Sequence, residues 1–126
     1  MKKWILVLAL CMLPALSGAR AAGCESTSTE FDSLYCTVQN FQQSDKDLND
    51  TYKMLQSKLN SAGKGILQTV QRQWIKDRDK ASAATLDGQV VFYMSTATQM
   101  TKDRTDFLKA RIRECNSTGC VNSRLK

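Results

Sequence analysis

The chain of 126 residues contains 18 lysines and arginines, 12 acidic residues and no histidine. This length suits a single domain, and the absence of histidine removes the side chain most often used as a general base. The cations are interleaved with acids instead of forming a tract, which argues against a nucleic-acid partner.

The amino-terminal residues have the pattern of a cleaved secretory signal. Lys2 and Lys3 precede an apolar run over residues 4–16, and small residues follow it. This run is shorter than the roughly 20 residues that a transmembrane helix needs, so no stable membrane insertion is expected. We predict a signal peptide over residues 1–21 and a mature domain over residues 22–126, in the periplasm or secreted.

A lipid anchor on Cys24 is the alternative to a free exported product. Residues 21–24, AAGC, could form a degenerate lipoprotein site. We favour the free product, because the third residue before the cysteine is alanine and Arg20 interrupts the apolar approach. Cleavage after residue 21 removes Lys2, Lys3 and Arg20, so the formal charge falls from +6 to +3.

Four cysteines remain after Cys11 leaves with the signal: Cys24, Cys36, Cys115 and Cys120. An even number in an exported chain predicts two disulfides. Three pairings are possible and spacing does not choose among them. The simplest joins the first two cysteines and the last two, each bond closing a local loop. We predict no metal and no cofactor, since the chain lacks histidine and any CxxC pair.

Glycines at Gly63–Gly65, Gly88 and Gly119 divide the mature chain into three predicted helical segments. The first runs over about residues 28–60, with Ser28 or Thr29 as its cap. Three- and four-residue spacing predicts that one face of this helix points inward. That face consists of Phe31, Leu34, Val38, Phe41, Asp45, Leu48, Tyr52, Leu55 and Leu59.

The second predicted helix covers about residues 66–85, and the third covers about residues 89–115. Their inward faces are predicted to include Leu67, Val70, Gln71, Trp74, Arg78 and Ala81, then Val90, Met94, Ala97, Thr101, Arg104, Leu108 and Ile112. The opening of the third, QVVFYMSTAT, is rich in β-branched residues and could locally be a strand or an irregular turn. The predicted fold is all-α: a small antiparallel bundle of about three helices stapled by disulfides, with a disulfide-tied tail over residues 115–126.

Each predicted helix carries a charge on its inward face: Asp45, Arg78 and Arg104. A lone buried charge is costly, so we expect Asp45 to accept hydrogen bonds from one or both arginines. Trp74 would supply the apolar contact beside Arg78. Three neighbouring side chains could complete the network: Asn49, Tyr52 and Gln71. Two hypotheses stay open, a network that fixes helix register and a polar pocket that receives a partner's acidic or sugar group.

Three motifs in this order resemble the LprI-like lysozyme inhibitor family. They are DLN at residues 47–49 with Tyr52, Q..WI..RD at residues 71–79, and T..R...L at residues 101–108. Asp45 also matches, and Cys24 and Cys36 look like the family's amino-terminal cysteine pair. The resemblance covers about residues 24–108. It implies an exported bacterial helical domain, which in some members inhibits lysozyme.

Two positions depart from that pattern. The family commonly has a cysteine four residues after the motif arginine, where this chain has Ser82, and another before T..R, where it has Ser95 or Thr96. The absence of both cysteines is the pattern expected if a disulfide has been lost. It puts the local stability of the connection between the second and third helices in question, with Cys115–Cys120 as a replacement staple.

No catalytic constellation is evident, so an enzyme is not predicted. We predict an exported protein-binding module that inhibits lysozyme by occluding its active-site cleft, with Lys64 as a candidate contact on the SAGKG turn. The alternative is a periplasmic interaction, accessory or immunity protein without lysozyme inhibition. A mature charge of +3 argues against long-range attraction to animal lysozymes, which are usually cationic. The oligomeric state stays open.

Overall fold

The computed structural model describes residue 24 and residues 28–126; the predicted signal peptide therefore lies outside the described residues. The elements in chain order are α1 (Glu30–Lys58), α2 (Ser61–Ala81), β1 (Ala83–Leu86), β2 (Gln89–Phe92), α3 (Met94–Ser117) and a short 3-10 turn (Asn122–Leu125). The prediction of an all-α bundle of three helices stapled by disulfides is confirmed, with a small two-stranded hairpin added.

α1 and α3 run parallel to each other, and α2 runs between the same two ends in the opposite direction. Residues 40–47 share a groove with residues 102–109. Further along both helices, Cys120 Sγ lies 3.4 Å from the Lys58 carbonyl oxygen. Later residues of α1 thus meet later residues of α3. This geometry places the amino termini of α1 and α3 and the carboxyl end of α2 at one end of the bundle.

The core of the bundle is formed mainly by leucine. The spacing of these residues at one face of each helix buries them together, as the periodicity predicts. The buried cluster consists of Leu48, Leu55, Leu59, Leu67, Leu108, Ile112 and Leu125. Leu125 comes from the tail, so the 3-10 turn closes the core at the end opposite the hairpin.

The start of α2 was predicted wrongly. Gly63 and Gly65 lie inside the helix and do not separate it from α1. Asn60 is the amino-terminal cap of α2, since its side chain accepts a hydrogen bond from the Gly63 amide at 2.8 Å. Gly63 also has a packing reason to be glycine: a Cβ there would lie 2.5 Å from Asn122 Oδ1.

The boundary between α2 and α3 also differs from the prediction. α2 ends at Ala81, because the residues that follow pair as an antiparallel hairpin. Its two central residues, Asp87 and Gly88, have φ of 50° and 80°. Positive φ at both positions is the requirement of a type I′ turn, for which Asp-Gly is a favoured sequence. The strand alternative for QVVF is therefore the correct one.

The disulfides are Cys24–Cys36 and Cys115–Cys120, which is the simplest of the three pairings. The first ties the residues before α1 to its second turn. The second ties the end of α3 to the tail, whose last turn packs against α2. None of the helices within residues 28–126 combines the length and apolar character needed to cross a bilayer.

Candidate functional site

Arg78 lies at the centre of the polar residues in the bundle and is only 8% exposed. Its Nε and Nη2 donate to Asp79 Oδ1 at 3.0 and 2.8 Å. Its Nη1 donates to Asp45 Oδ1 at 3.3 Å and to Thr101 Oγ1 at 3.4 Å. All three nitrogens of the guanidinium therefore have acceptors within the protein. Asp79 and Thr101 were not anticipated as partners, although both belong to the quoted motifs.

Two aromatic rings flank the same guanidinium. The Cζ atom of Arg78 lies 5.4 Å from the ring centroid of Phe41 and 5.4 Å from that of Trp74. Contacts of this kind attract a cation to the ring faces and also cover the methylene stem. Arg78 thus contacts side chains from α1, α2 and α3.

Arg104 occupies a separate environment and does not bind Asp45. Its Nε donates to Gln71 Oε1 at 3.0 Å, and its guanidinium stacks near Phe107 and Trp74. Its Nη2 is enclosed without a hydrogen-bond partner among the described residues. Burial lowers the pKa of Arg104, because desolvation disfavours the charged form. Of the two arginines expected near Asp45, only Arg78 reaches it.

The remaining predicted network residues line a cleft of about 390 Å³ beside Arg78. Asn49 Nδ2 donates to Asp45 Oδ2 at 3.2 Å, one turn along α1. Tyr52 is half-buried against the core but its hydroxyl makes no hydrogen bond to a described residue. Two arginines line this cleft. Arg78 is already paired with carboxylates, whereas Arg72 is exposed and forms no ion pair with a described residue.

Two other residues singled out in the sequence have different surroundings from those expected. Lys64 is exposed in the first turn of α2 and does not lie on a loop. Ser82 is fully buried, and its hydroxyl has no partner among the described residues. Ser95 and Thr96 are exposed at the start of α3.

A second feature is the end of the bundle where α1 and α3 begin and α2 stops. We call it the hairpin end and define it as residues 28–38 and 79–98. The described residues expose ten large apolar side chains, and seven of these lie at the hairpin end. They are Phe31, Leu34, Tyr35, Leu86, Val90, Phe92 and Tyr93. An accumulation of this kind is typical of an interaction surface.

Three of these side chains were predicted to point into the core. Phe31 and Leu34 continue the apolar face of α1, yet they are 74% and 61% exposed. Val90 was assigned to the inward face of the third helix and is 78% exposed. The cause is the early end of α2 at Ala81: its last full turn contacts α1 at Phe41 and Asp45, so α2 does not extend along the first turns of α1. Val90 belongs to a strand.

The hairpin presents an uncharged outer face. Ala83 pairs with Phe92 and Thr85 pairs with Val90, which places these four side chains on one side of the two strands. All four are exposed, whereas Ala84 and Val91 on the opposite side are half-buried. The sequence signal that could have found this surface is Asp-Gly between two short β-branched runs.

No group of three or more metal-ligating side chains occurs within residue 24 and residues 28–126. Searches of curated proteins and of solved structures found no match. The model of one family, described as lysozyme inhibitor LprI, matches residues 21–108. This span includes all three motifs, both arginines and the first disulfide. The protein belongs to the LprI lysozyme inhibitor family.

Proposed function

We propose that the protein is exported as residues 22–126 and inhibits lysozyme by occluding its active-site cleft with the hairpin end. The observation that carries this proposal is the concentration of exposed apolar side chains at that end. A family of inhibitors acts through protein binding, and burial of apolar surface is the main favourable term in protein association.

The hairpin is suited to enter a concave site. Each strand has four residues, so the hairpin is about 13 Å long at the usual rise per residue. Its type I′ turn holds the strands in register, so little order is left to gain on binding. Val90 and Phe92 on its outer face would fill an apolar recess in the partner.

The polar network supports this assignment by exclusion. Arg78 is paired with two carboxylates and covered by two rings, so it is built to hold three helices together. We propose a structural role for Asp45, Asn49 and Arg78. We propose that four further residues support this network: Tyr52, Gln71, Trp74 and Arg104.

The chemistry of the described residues gives no support to catalysis. The four cysteines are joined in disulfides and are not available as thiolate nucleophiles. The carboxylates of Asp45 and Asp79 are both held by Arg78. A binding role, with no cofactor, therefore fits the arrangement better than an enzymatic one.

The test is a titration of the oxidised exported protein into lysozymes of several classes, with cell-wall lysis as the readout. Stoichiometric inhibition of one class is the expected result. Circular dichroism should confirm the helical fold in the same samples. Full lysis at micromolar protein for every class would contradict lysozyme inhibition, and would leave the alternative of an envelope interaction, accessory or immunity protein.

A further inference from the structure

Charge is divided unevenly between the two ends of the bundle. The hairpin end contains four acidic side chains and one basic side chain: Glu30, Asp32, Asp79, Asp87 and Lys80. Since Arg78 neutralises Asp79, the formal charge left to a partner is −2. The far end, residues 56–66 and 111–126, contains six basic side chains and one acidic side chain, a formal charge of +5: Lys58, Lys64, Arg111, Arg113, Arg124, Lys126 and Glu114.

Three acids at the hairpin end are available to a partner. Glu30, Asp32 and Asp87 are exposed, and within the described residues none of them forms an ion pair. Asp32 contributes to the cap of α1, where it accepts a hydrogen bond from Thr29 Oγ1 at 2.8 Å. Asp87 lies at the tip of the hairpin. The fourth acid, Asp79, is already bound by Arg78.

From this distribution we infer that the hairpin end docks onto a cationic protein surface surrounding an apolar recess. The inference rests on the proposed function and specifies which end binds and what charge its partner carries. α1 has 29 residues and is about 43 Å long, several times the Debye length at physiological salt. A partner approaching the hairpin end therefore experiences its local negative field and not the net positive charge of the chain.

The same charges disfavour the other occupants of an exposed apolar surface. A second copy would bring two ends of charge −2 together, and like charges across an interface are costly. An anionic lipid surface would repel the same acids. A cationic lysozyme is attracted by them, so the objection drawn from a net charge of +3 does not apply to this contact.

The test compares a hairpin-end variant with a far-end control, measured as binding kinetics to a cationic animal lysozyme. The first is Glu30→Gln with Asp87→Asn; asparagine suits the turn, so the hairpin is retained. The second is Lys64→Gln with Arg113→Gln. We expect the hairpin-end variant to associate about fivefold more slowly at low salt, with the difference largely lost in about 1 M salt. The far-end control should associate within about twofold of the unaltered protein.

The outcomes separate this inference from the proposed function. Binding with the expected charge dependence but without inhibition of lysis would support the inference and overturn the function. Inhibition with equal association rates for both variants would overturn the inference alone. Sedimentation of the protein as a dimer that buries the hairpin end would also overturn it, because the occupant would be a second copy. Absence of any binding to lysozyme would overturn both.

Discussion

The middle of the bundle and its hairpin end reverse the usual relation between burial and polarity. In the middle, Arg78 is buried on a face where the periodicity calls for an apolar residue. At the hairpin end, Phe31 and Val90 are exposed on faces where the same periodicity predicts core. The cause differs: the first region surrounds a charge with acceptors from neighbouring residues and helices, whereas α2 stops before it reaches the first turns of α1 in the second region.

This difference shows which anomaly in an apolar pattern points to binding. A buried charge whose nitrogens all have acceptors within the protein is already neutralised there, and we expect its main effect to be on how the helices pack. Apolar side chains exposed to water do not stabilise the fold. Covering them with another protein surface lowers the free energy of the complex. The comparison supports the proposal of a structural role for the network and of recognition at the hairpin end.

The largest expected effect is on stability and comes from Arg78→Ala. The substitution removes both ion pairs and both ring contacts, and we expect a loss of about 3 kcal/mol, or about 10 °C in Tm. Thermal unfolding followed by circular dichroism measures it. Arg72→Ala, an exposed position on the same helix, is the control and should change stability by less than about 0.5 kcal/mol. Unchanged stability combined with lost binding would make Arg78 a site residue instead.

The next effect is on binding and comes from Val90→Ser combined with Phe92→Ser. Both side chains are already exposed, so Tm should change little while affinity for lysozyme falls about 30-fold, equivalent to about 2 kcal/mol. Calorimetric titration measures it. Val121→Ser is the matched control, since Val121 and Phe92 are both 43% exposed but lie at opposite ends. Equal affinity of the double variant and the control would contradict the assignment.

A smaller effect is expected from Gly88→Ala at the hairpin turn. A φ of 80° is unfavourable for alanine by about 1 kcal/mol, so strand amides should exchange hydrogen about fivefold faster. Inhibition of lysis should weaken by a similar factor. Gly65→Ala is the control, because open space surrounds that position and its φ is not positive. Faster exchange without weaker inhibition would show that hairpin order is irrelevant to binding.

The smallest effect concerns the exposed ion pair Lys46–Asp50, outside both regions. A hydrogen bond from Lys46 lowers the pKa of Asp50. A lowered pKa contributes stability above the ordinary pKa of the carboxyl group, and the contribution disappears as pH falls through the lowered value. Because the pair is fully exposed, Asp50→Asn should leave Tm unchanged within error between pH 3 and 7. A measurable decrease in Tm at neutral pH would mean that exposed ion pairs also stabilise this bundle.

The fold could be predicted from the sequence as far as periodicity and cysteine spacing reach. They predicted three helices and, as the simplest pairing, the two disulfides in the structure. The glycine rule failed at Gly63, where the cap formed by Asn60 decides the boundary. The predicted second helix also continued into the first strand of the hairpin. The alternating pattern of that strand covers four residues, which is too short to outweigh the helical pattern before it.

The candidate site was harder to predict because it depends on where helices stop. Asp45 and Arg78 could be paired from charge alone, since a buried guanidinium requires an acceptor. The hydrogen bond from Arg104 to Gln71 could not be predicted, because it depends on how far α3 is shifted along its axis relative to α2. The exposure of Phe31 and Leu34 could be predicted only if it were known that α2 ends at Ala81. That endpoint is a tertiary property.

The most direct test of the central claim is a hydrogen-exchange footprint of lysozyme on the oxidised exported protein. We predict that protection on binding concentrates in residues 30–35 and 83–93. Amides near the paired Asp45 and Arg78 should exchange as in the free protein. Protection along residues 45–52 and 68–78 with an unprotected hairpin would contradict the account, and would place the binding site at the polar cleft.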